Sequence, residues 1–455
     1  MKTKLFLLFM VFVCFNINAQ WEENIISTDI GQCGSIYTAD FNGDEYMDVL
    51  SVCGDSIDWW ENDGDENFEQ HNISTDIDRA YQVYAFDIDY DNDMDVLYPS
   101  RDDDKLVWHE NLDGLGNFGP QQFITAQANT DGARFLDVAD LDGDDKPDVI
   151  SASAYDNKIA WYKNLGNGDF GDINTNQRII SEPEEEAISV HAVDIDGDGD
   201  FDVAVASYVG DEIIWFENEL ETGNSWTRHL VESQRDAAAS VSSGDFNNDG
   251  YMDLVSVSDF DHTIKWHENI DGAGTFDNHL ITDEAWSVVF VYATDIDGDG
   301  DPDFLAALAN VDEVVAYVND GDGNFTECIL TSNADFVVSV HAADINDNGL
   351  IDALSASVND NKIAWYENDN EKCILSVNEN TLIDFSIYPN PVSELLIISI
   401  AENVLFEKAV IYSVLGERLL ETSEKNIHVS NLPTGLYFIQ LSVDGKTATK
   451  KFIKE

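Results

Sequence analysis

Asp194-Ile-Asp-Gly-Asp-Gly-Asp-Phe-Asp202 carries an acid at every odd position of a nine-residue stretch. Seven segments share this pattern: DFNGDEYMD from Asp40, DIDYDNDMD from Asp87, DLDGDDKPD from Asp140, DIDGDGDFD from Asp194, DFNNDGYMD from Asp245, DIDGDGDPD from Asp295 and DINDNGLID from Asp344. Their starts lie 47, 53, 54, 51, 50 and 49 residues apart, and each keeps Asp or Asn at positions 1, 3, 5 and 9. Self-similarity at a fixed period of this length marks a repeat array.

Each acidic segment sits in a larger unit. A short strand precedes it, as in Ile188–Val193, and a β-rich run follows, as in Asp148–Ser153. Then comes a strand ending in a shared pattern: KIAWYKN at 158–164, EIIWFEN at 212–218, TIKWHEN at 263–269 and KIAWYEN at 362–368. A Gly-rich turn, an aromatic residue and a fourth strand complete the unit, as in Phe325–Leu330. Four short strands per repeat, separated by turn signals, describe a propeller blade. The fold expected is all-β: a seven-bladed β-propeller followed by a small C-terminal β-sandwich. Trp21–Ile26 resembles a fourth strand but precedes the first loop, and the seventh unit ends after Asn368 without its Gly-x-Phe turn. The N-terminal strand therefore has the form needed to complete the last blade and remove a sheet edge. Glu371–Leu375 is the competing choice for that place.

Alternating Asp and Asn residues deliver several hard oxygens to one point, which is what calcium requires. The expected ligands, loop by loop, are Asp40, Asn42, Asp44 and Asp48; Asp87, Asp89, Asp91 and Asp95; Asp140, Asp142, Asp144 and Asp148; Asp194, Asp196, Asp198 and Asp202; Asp245, Asn247, Asp249 and Asp253; Asp295, Asp297, Asp299 and Asp303; and Asp344, Asn346, Asn348 and Asp352. Unlike an EF-hand, the loop closes with Asp at position 9 and is flanked by strands. An Asx-rich turn without metal is the plain alternative for one copy. Seven copies argue against it. Two unit charges 4 Å apart repel by about 4 kcal/mol at an effective dielectric near 20, and folded domains are held by only about 5–15 kcal/mol. About seven Ca²⁺ are expected, bound more weakly where Asn replaces Asp.

The D-x-[DN]-x-[DN]-x-x-x-D loop between strands, repeated over roughly residues 21–370, resembles the FG-GAP repeats of integrin alpha chains and the related VCBS-type repeats of bacterial surface proteins. That resemblance implies a seven-bladed propeller with calcium in the hairpin between the first two strands. The literal Phe-Gly and Gly-Ala-Pro segments are not preserved across the repeats and Trp-x-Glu-Asn stands in their place, which favours the bacterial branch.

Two further sets repeat once per unit. Trp59, Trp108, Trp161, Trp215, Trp266, Tyr317 and Trp365 could stack on sugars, but filling the wedge between blades is the plainer use. Tyr37, Tyr84, Asp137, His191, Ser242, Tyr292 and His341 stand three residues before each loop and vary in type. First strands line a propeller's channel, so this set is a candidate ligand ring, with His191 and His341 as its acid/base pair. Ordinary hydrogen bonding between blades is the alternative. No nucleophile elbow, Walker loop, HExxH or CxxC occurs.

The chain has 455 residues, with 90 acidic against 22 basic side chains and a formal charge of −68. Such a charge disfavours nucleic acid and anionic membranes as partners. The excess lies in residues 20–383, with 81 acidic and 13 basic side chains, against 9 and 7 in residues 384–455. Lys2, Lys4, the apolar run Leu5–Phe15 and Asn16–Gln20 form a signal peptide, with cleavage expected after Ala19. No later stretch approaches a membrane span. In the oxidising compartment that follows, Cys33 and Cys53 flank the first loop and face each other as a possible disulfide, while Cys328 and Cys373 are left paired or free.

From Ile383 the composition shifts to short strands with Gly and Pro turns. Tyr388-Pro-Asn-Pro391, the Leu415-Gly-Glu417 turn, Leu432-Pro-Thr-Gly-Leu-Tyr437 and the Lys-rich end resemble the C-terminal sorting domain of Bacteroidetes type IX (Por) secretion cargo. The resemblance implies Sec export, type IX secretion, and release or attachment at the cell surface. The expected division is 1–19 signal peptide, 20–372 propeller, 373–382 linker and 383–455 sorting domain. Two functions are open: a calcium-rigidified module, expected to be monomeric, that binds an extracellular protein or glycan; or a secreted polysaccharide lyase or dehydratase with its site at the channel mouth. The missing catalytic constellation favours the first.

Overall fold

The computed structural model describes residues 21–126, 130–219, 225–369, 385–400, 406–413, 418–443 and 446–454. The expected signal peptide, the alternative closing strand Glu371–Leu375, Cys373 and the expected linker lie outside them. The chain divides into two compact units, Met1–Leu375 and Ser376–Glu455.

The first unit holds seven four-stranded antiparallel sheets, the blades of a propeller. Blade 1 runs Cys33–Ala39, Asp48–Cys53, Ser56–Asn62 and Phe68–Ser74, each strand paired with the next. The second strand is buried along its whole length in every blade. It meets a neighbouring blade on both faces, which is why runs such as Asp202-Val-Ala-Val-Ala-Ser207 do not alternate with polar residues. Fourth strands lie outermost and stay half exposed.

Blade 7 contributes Val337–Ala343, Asp352–Ser357 and Lys362–Glu367, and its fourth strand is Glu22–Ser27 from the N-terminus. Asn24 pairs with Trp365, and the register shifts between Ile25 and Ser27. Fourth strands of other blades shift at the same place, as between Ile213 and Ile214 of the third strand in blade 4. The N-terminal segment thus copies a fourth strand in detail. Lys362 Nζ donates to Glu23 Oε1 at 2.7 Å across the closure.

Two ring-wide devices join the blades. The Asn at or just past the end of each third strand donates its side-chain amide to the position-2 carbonyl of the preceding blade's acidic loop. Asn111 reaches Phe41, Asn164 reaches Ile88, Asn218 reaches Leu141, Asn269 reaches Ile195, Asn319 reaches Phe246 and Asn368 reaches Ile296, at 2.7–2.9 Å. Asn62 reaches Ile345 of blade 7 at 2.8 Å and closes the circle. The second device is the repeated Trp. All seven aromatics are buried, none more than 6% exposed. Gly274 of blade 5 sits on Trp215 of blade 4, where a Cβ would lie 2.2 Å from the indole; Gly116, Gly168 and Gly323 sit likewise on Trp59, Trp108 and Trp266. The Gly-rich turn exists to admit the neighbour's indole.

Cys33 and Cys53 are joined by a disulfide at the ends of the first two strands, and Cys328 is also disulfide-bonded. The only helix among the described residues is the single turn Ala309–Val311, and none of them forms a helix long and apolar enough to cross a membrane.

The second unit is a small β-sandwich. One sheet is Phe385–Tyr388, Leu395–Ile400 and Asn426–His428; the other is Arg418–Thr422, Phe406–Ser413, Gly435–Val443 and Lys446–Lys454. Leu396, Ile398, Ile411, Ile427, Ile439 and Phe452 meet in its core. The motifs serve this fold directly. Asn390 Oδ1 accepts the Ile453 N–H at 2.9 Å, and Tyr437 Oη donates to the Pro433 carbonyl at 2.8 Å.

Candidate functional site

The acidic loops link the first and second strands of every blade. Positions 4 and 6 are left-handed in all seven, with φ from 55° at Asp347 to 102° at Gly199. Gly or Asn occupies most of these places because a Cβ disfavours that conformation. The position-1 carboxylate folds the loop around itself. Its Oδ2 accepts the position-6 N–H in every copy: Glu45, Asn92, Asp145, Gly199, Gly250, Gly300 and Gly349, at 2.7–3.2 Å.

The Asp at position 9 opens the second strand and is buried in all seven blades. Its two oxygens each accept a backbone N–H. Asp202, for example, takes those of Ile195 and Asn218, at 2.9 Å each. Burial pushes these carboxyls up: Asp95 to about 8, Asp48, Asp148, Asp202, Asp303 and Asp352 to about 7, and Asp253 to about 6. Desolvation favours the neutral form of such a carboxyl, and a cation beside it would keep it ionised.

Four loops gather three carboxylates so that one oxygen from each lies within 4.8 Å of the others: Asp87, Asp89 and Asp95; Asp140, Asp142 and Asp148; Asp194, Asp196 and Asp202; Asp295, Asp297 and Asp299. In loops 2, 4 and 6 these residues have no ion pair with Lys or Arg among the described residues. The all-oxygen donor set fits a hard divalent cation. Loops 1, 5 and 7 keep the same backbone fold with Asn in the third or fifth position.

Sequence reading missed what the Glu of Trp-x-Glu-Asn does. Glu61 and Glu268 reach Asn42 and Asn247 at position 3 of their own loops, at 3.4 and 3.2 Å. Their other oxygens take His71 and His279 at 2.7 and 2.8 Å, and those imidazoles stack on Trp59 and Trp266. A fourth-strand His thus aims the Glu at the loop. The signal was visible in the repeat: blades 1, 2, 4, 5 and 7 have Glu there, whereas blade 3 has Lys163 and blade 6 Val318. In blade 3 the Lys163 ammonium contacts Asp142 and lies 2.8 Å from Asp144, and Lys146 also reaches Asp144 at 2.8 Å. Although burial works the other way, these lysines hold the Asp144 carboxyl below its usual range. In loop 2, burial and the carboxylates of Asp91 and Glu110 push Asp89 up to about 6.

Tyr37, Tyr84, Asp137, His191, Ser242, Tyr292 and His341 line one axial cavity of about 320 Å³. Several span to the next blade. Asp137 Oδ2 accepts the Ala192 N–H at 2.9 Å, Ser242 Oγ accepts the Ala293 N–H at 3.2 Å, and His341 Nδ1 shares a hydrogen bond with Thr38 Oγ1 at 3.0 Å. His341 is buried, which pushes its imidazole down to about 3 and keeps it neutral. His191 Nε2 shares a hydrogen bond with Ser243 Oγ at 2.8 Å, and its Nδ1 lies 3.3 Å from Asp137 Oδ2. The ring therefore comes together, but His341 is shielded, with Nδ1 held by Thr38 and Nε2 buried without a partner.

A seven-bladed propeller with an acidic turn in every inner hairpin defines the class. The FG-GAP-like repeat matches residues 40–98, 140–205, 194–256, 245–306 and 295–355, and the chain belongs to this family. Residues 386–455 match the secretion system C-terminal sorting domain, which marks the protein as type IX cargo, secreted and attached at the cell surface. Among curated proteins none matches the chain. Two solved structures share the propeller fold: a streptogramin B lyase, with TM-score 0.52 and 11% identity over 77% of this chain and 98% of that one; and BBS1N in complex with ARL6DN, with TM-score 0.52 and 8% identity over 78% and 98%.

Proposed function

We propose that this secreted surface protein is a binding module for an extracellular protein or glycan, held rigid by calcium in its acidic loops. The convergence of three carboxylates without a neutralising Lys or Arg carries the reading: in loops 2 and 4 two are half-buried and one is buried, and in loop 6 two are half-buried and one is exposed. Position 1, 3, 5 and 9 side chains would hold each ion, and the ion would fix the hairpin on which the blade's second strand depends. Loops 1, 5 and 7 bind more weakly through their Asn residues. In loop 3 the Lys146 and Lys163 ammonium groups take the cation's place, so six ions per chain are expected. We further propose cleavage after Ala19 and a linker at 373–382 before the sorting domain.

Metal analysis of protein dialysed against trace calcium should find about six Ca²⁺ per chain. Chelation should lower the melting temperature by tens of degrees; an unchanged melt would exclude the calcium reading. A second reading, a polysaccharide-acting enzyme in the channel, is favoured by the Asp137, His191 and Ser243 alignment alone. Both Asp137 oxygens accept backbone N–H groups, from Val138 and Ala192, which gives that carboxylate a structural use. A glycan array joined to a turnover assay separates the readings. Turnover lost in His191→Ala or His341→Ala would support the enzyme; binding without turnover supports the module.

A further inference from the structure

The first strands carry the acidic loops at one end. At their other end a second cavity, of about 770 Å³, opens among Gly34, Arg134, Phe135, Phe290 and Tyr208. A volume of this size suits a small organic ligand. Its floor is aromatic. Phe135 of blade 3 and Phe290 of blade 6 meet across the axis with ring centroids 6.1 Å apart and planes 21° from parallel. Both rings also line the axial cavity beneath, so they partition the channel.

Arg134 stands in the wall of this cavity and is the anomaly of the molecule. In a chain with 90 acids, the fully buried cations find carboxylates, Arg235 with Glu232 and Asp261 at 3.6 and 3.7 Å and Lys362 with Glu23 and Asp360 at 2.7 and 3.3 Å, whereas Arg134 is half-buried. Among the described residues Arg134 forms no ion pair. Its Nε is buried without an acceptor, as are those of Arg101 and Arg235, and its guanidinium lies 4.8 Å from the Tyr81 ring centroid. A second cation, Arg101, lies 5.1 Å from the centroid of the same ring. Burial and Arg101 work against the Arg134 charge, while Tyr81, Glu186 and Tyr208 act in its favour without an ion pair, and the balance is downward. Among nearby acids, Asp259 accepts hydroxyls from Tyr208 and Ser287, and Asp55 and Asp78 lie exposed at the rim. An arginine fork with free donors beside flat apolar rings matches a carboxylate attached to a ring-shaped body.

We propose that this cavity binds an acidic sugar, its carboxylate on Arg134 and its ring on the Phe135–Phe290 floor. The proposal rests on the glycan branch of the function above. Calorimetric titration of the calcium-loaded full chain with digalacturonate should give saturable one-to-one binding, at least tenfold tighter than digalactose. Arg134→Met, which keeps the stem and removes the fork, should weaken the acid at least tenfold and leave the neutral sugar unchanged. Arg134→Lys should retain part of the affinity, and Phe290→Ala should weaken both sugars. Melting in calcium reports whether each variant is folded. Equal affinity for the two sugars, absence of digalacturonate binding, or binding indifferent to Arg134 because calcium bridges the acid to the loops would each overturn it. A different ligand on the glycan array would leave the binding-module reading standing while this site fails, and the calcium count is read independently.

Discussion

Asp95 illustrates what the loops ask of a single residue. Its carboxyl is fully buried and raised to about 8, from an ordinary value near 3.8. A group with a raised folded-state pKa adds stability below its unfolded pKa, and loses that contribution as pH rises through the folded value. Chelated protein should therefore become less stable from pH 6.5 to pH 8, as the position-9 carboxyls ionise without a partner. Calcium-loaded protein should lack this loss, because the ion holds them ionised throughout. Denaturant midpoints across that range check the prediction; parallel curves for the two forms would contradict it. Below pH 6.5 the buried neutral His267 and His341, both lowered to about 3, oppose folding as their unfolded counterparts take up protons. Lys163 gives a second residue-scale prediction. Lys163→Glu restores the Glu of the other blades and removes an ammonium from Asp142 and Asp144. Metal content should rise by about one ion per chain, and an unchanged count would mean that Lys163 does not stand in for calcium.

Among the elements, the third strand does the most joining. Its final Asn gives its N–H to the position-9 Asp of its own blade and its amide to the loop of the blade before. Asn269→Ala removes a buried donor and strands the Ile195 carbonyl, at a cost of about 1–3 kcal/mol. Equilibrium denaturation in calcium should show that loss; less than about 0.5 kcal/mol would mean the ring of amides is incidental. The loops, the four strands of each blade and the closing strand were legible because they repeat, and a repeated pattern exposes its own spacing. The Asn was quoted within a motif, but its partner lies in another blade some 70 residues away, and no spacing within one unit discloses that contact. Arg134 and the Phe135–Phe290 floor occur once each. They differ from their counterparts in the repeat, and their meaning depends on which blades face each other across the axis.

For the whole molecule, the acidic loops gather a large share of the carboxylates at one end of the first strands, where bound cations would offset part of the charge of −68. The sorting unit is separately folded around its own core. Deleting residues 386–455 should leave the propeller's calcium-dependent melt unchanged while protein accumulates inside the outer membrane. Cell fractionation checks this, and normal surface display of the truncated chain would contradict the sorting role.

The strand Glu22–Ser27 carries a consequence for the time course of folding. Its partner, Lys362–Glu367, is synthesised some 340 residues later, so the first segment to emerge is the last to find its place. Contacts so distant in sequence are slow to form because a long loop must close first. Until then blade 7 presents a bare strand edge, and the blades cannot lock into a circle. A growing chain therefore cannot close the ring until Lys362–Glu367 has been made. Completion falls after the whole propeller has been made, so the closed ring belongs to the compartment in which the full-length chain folds.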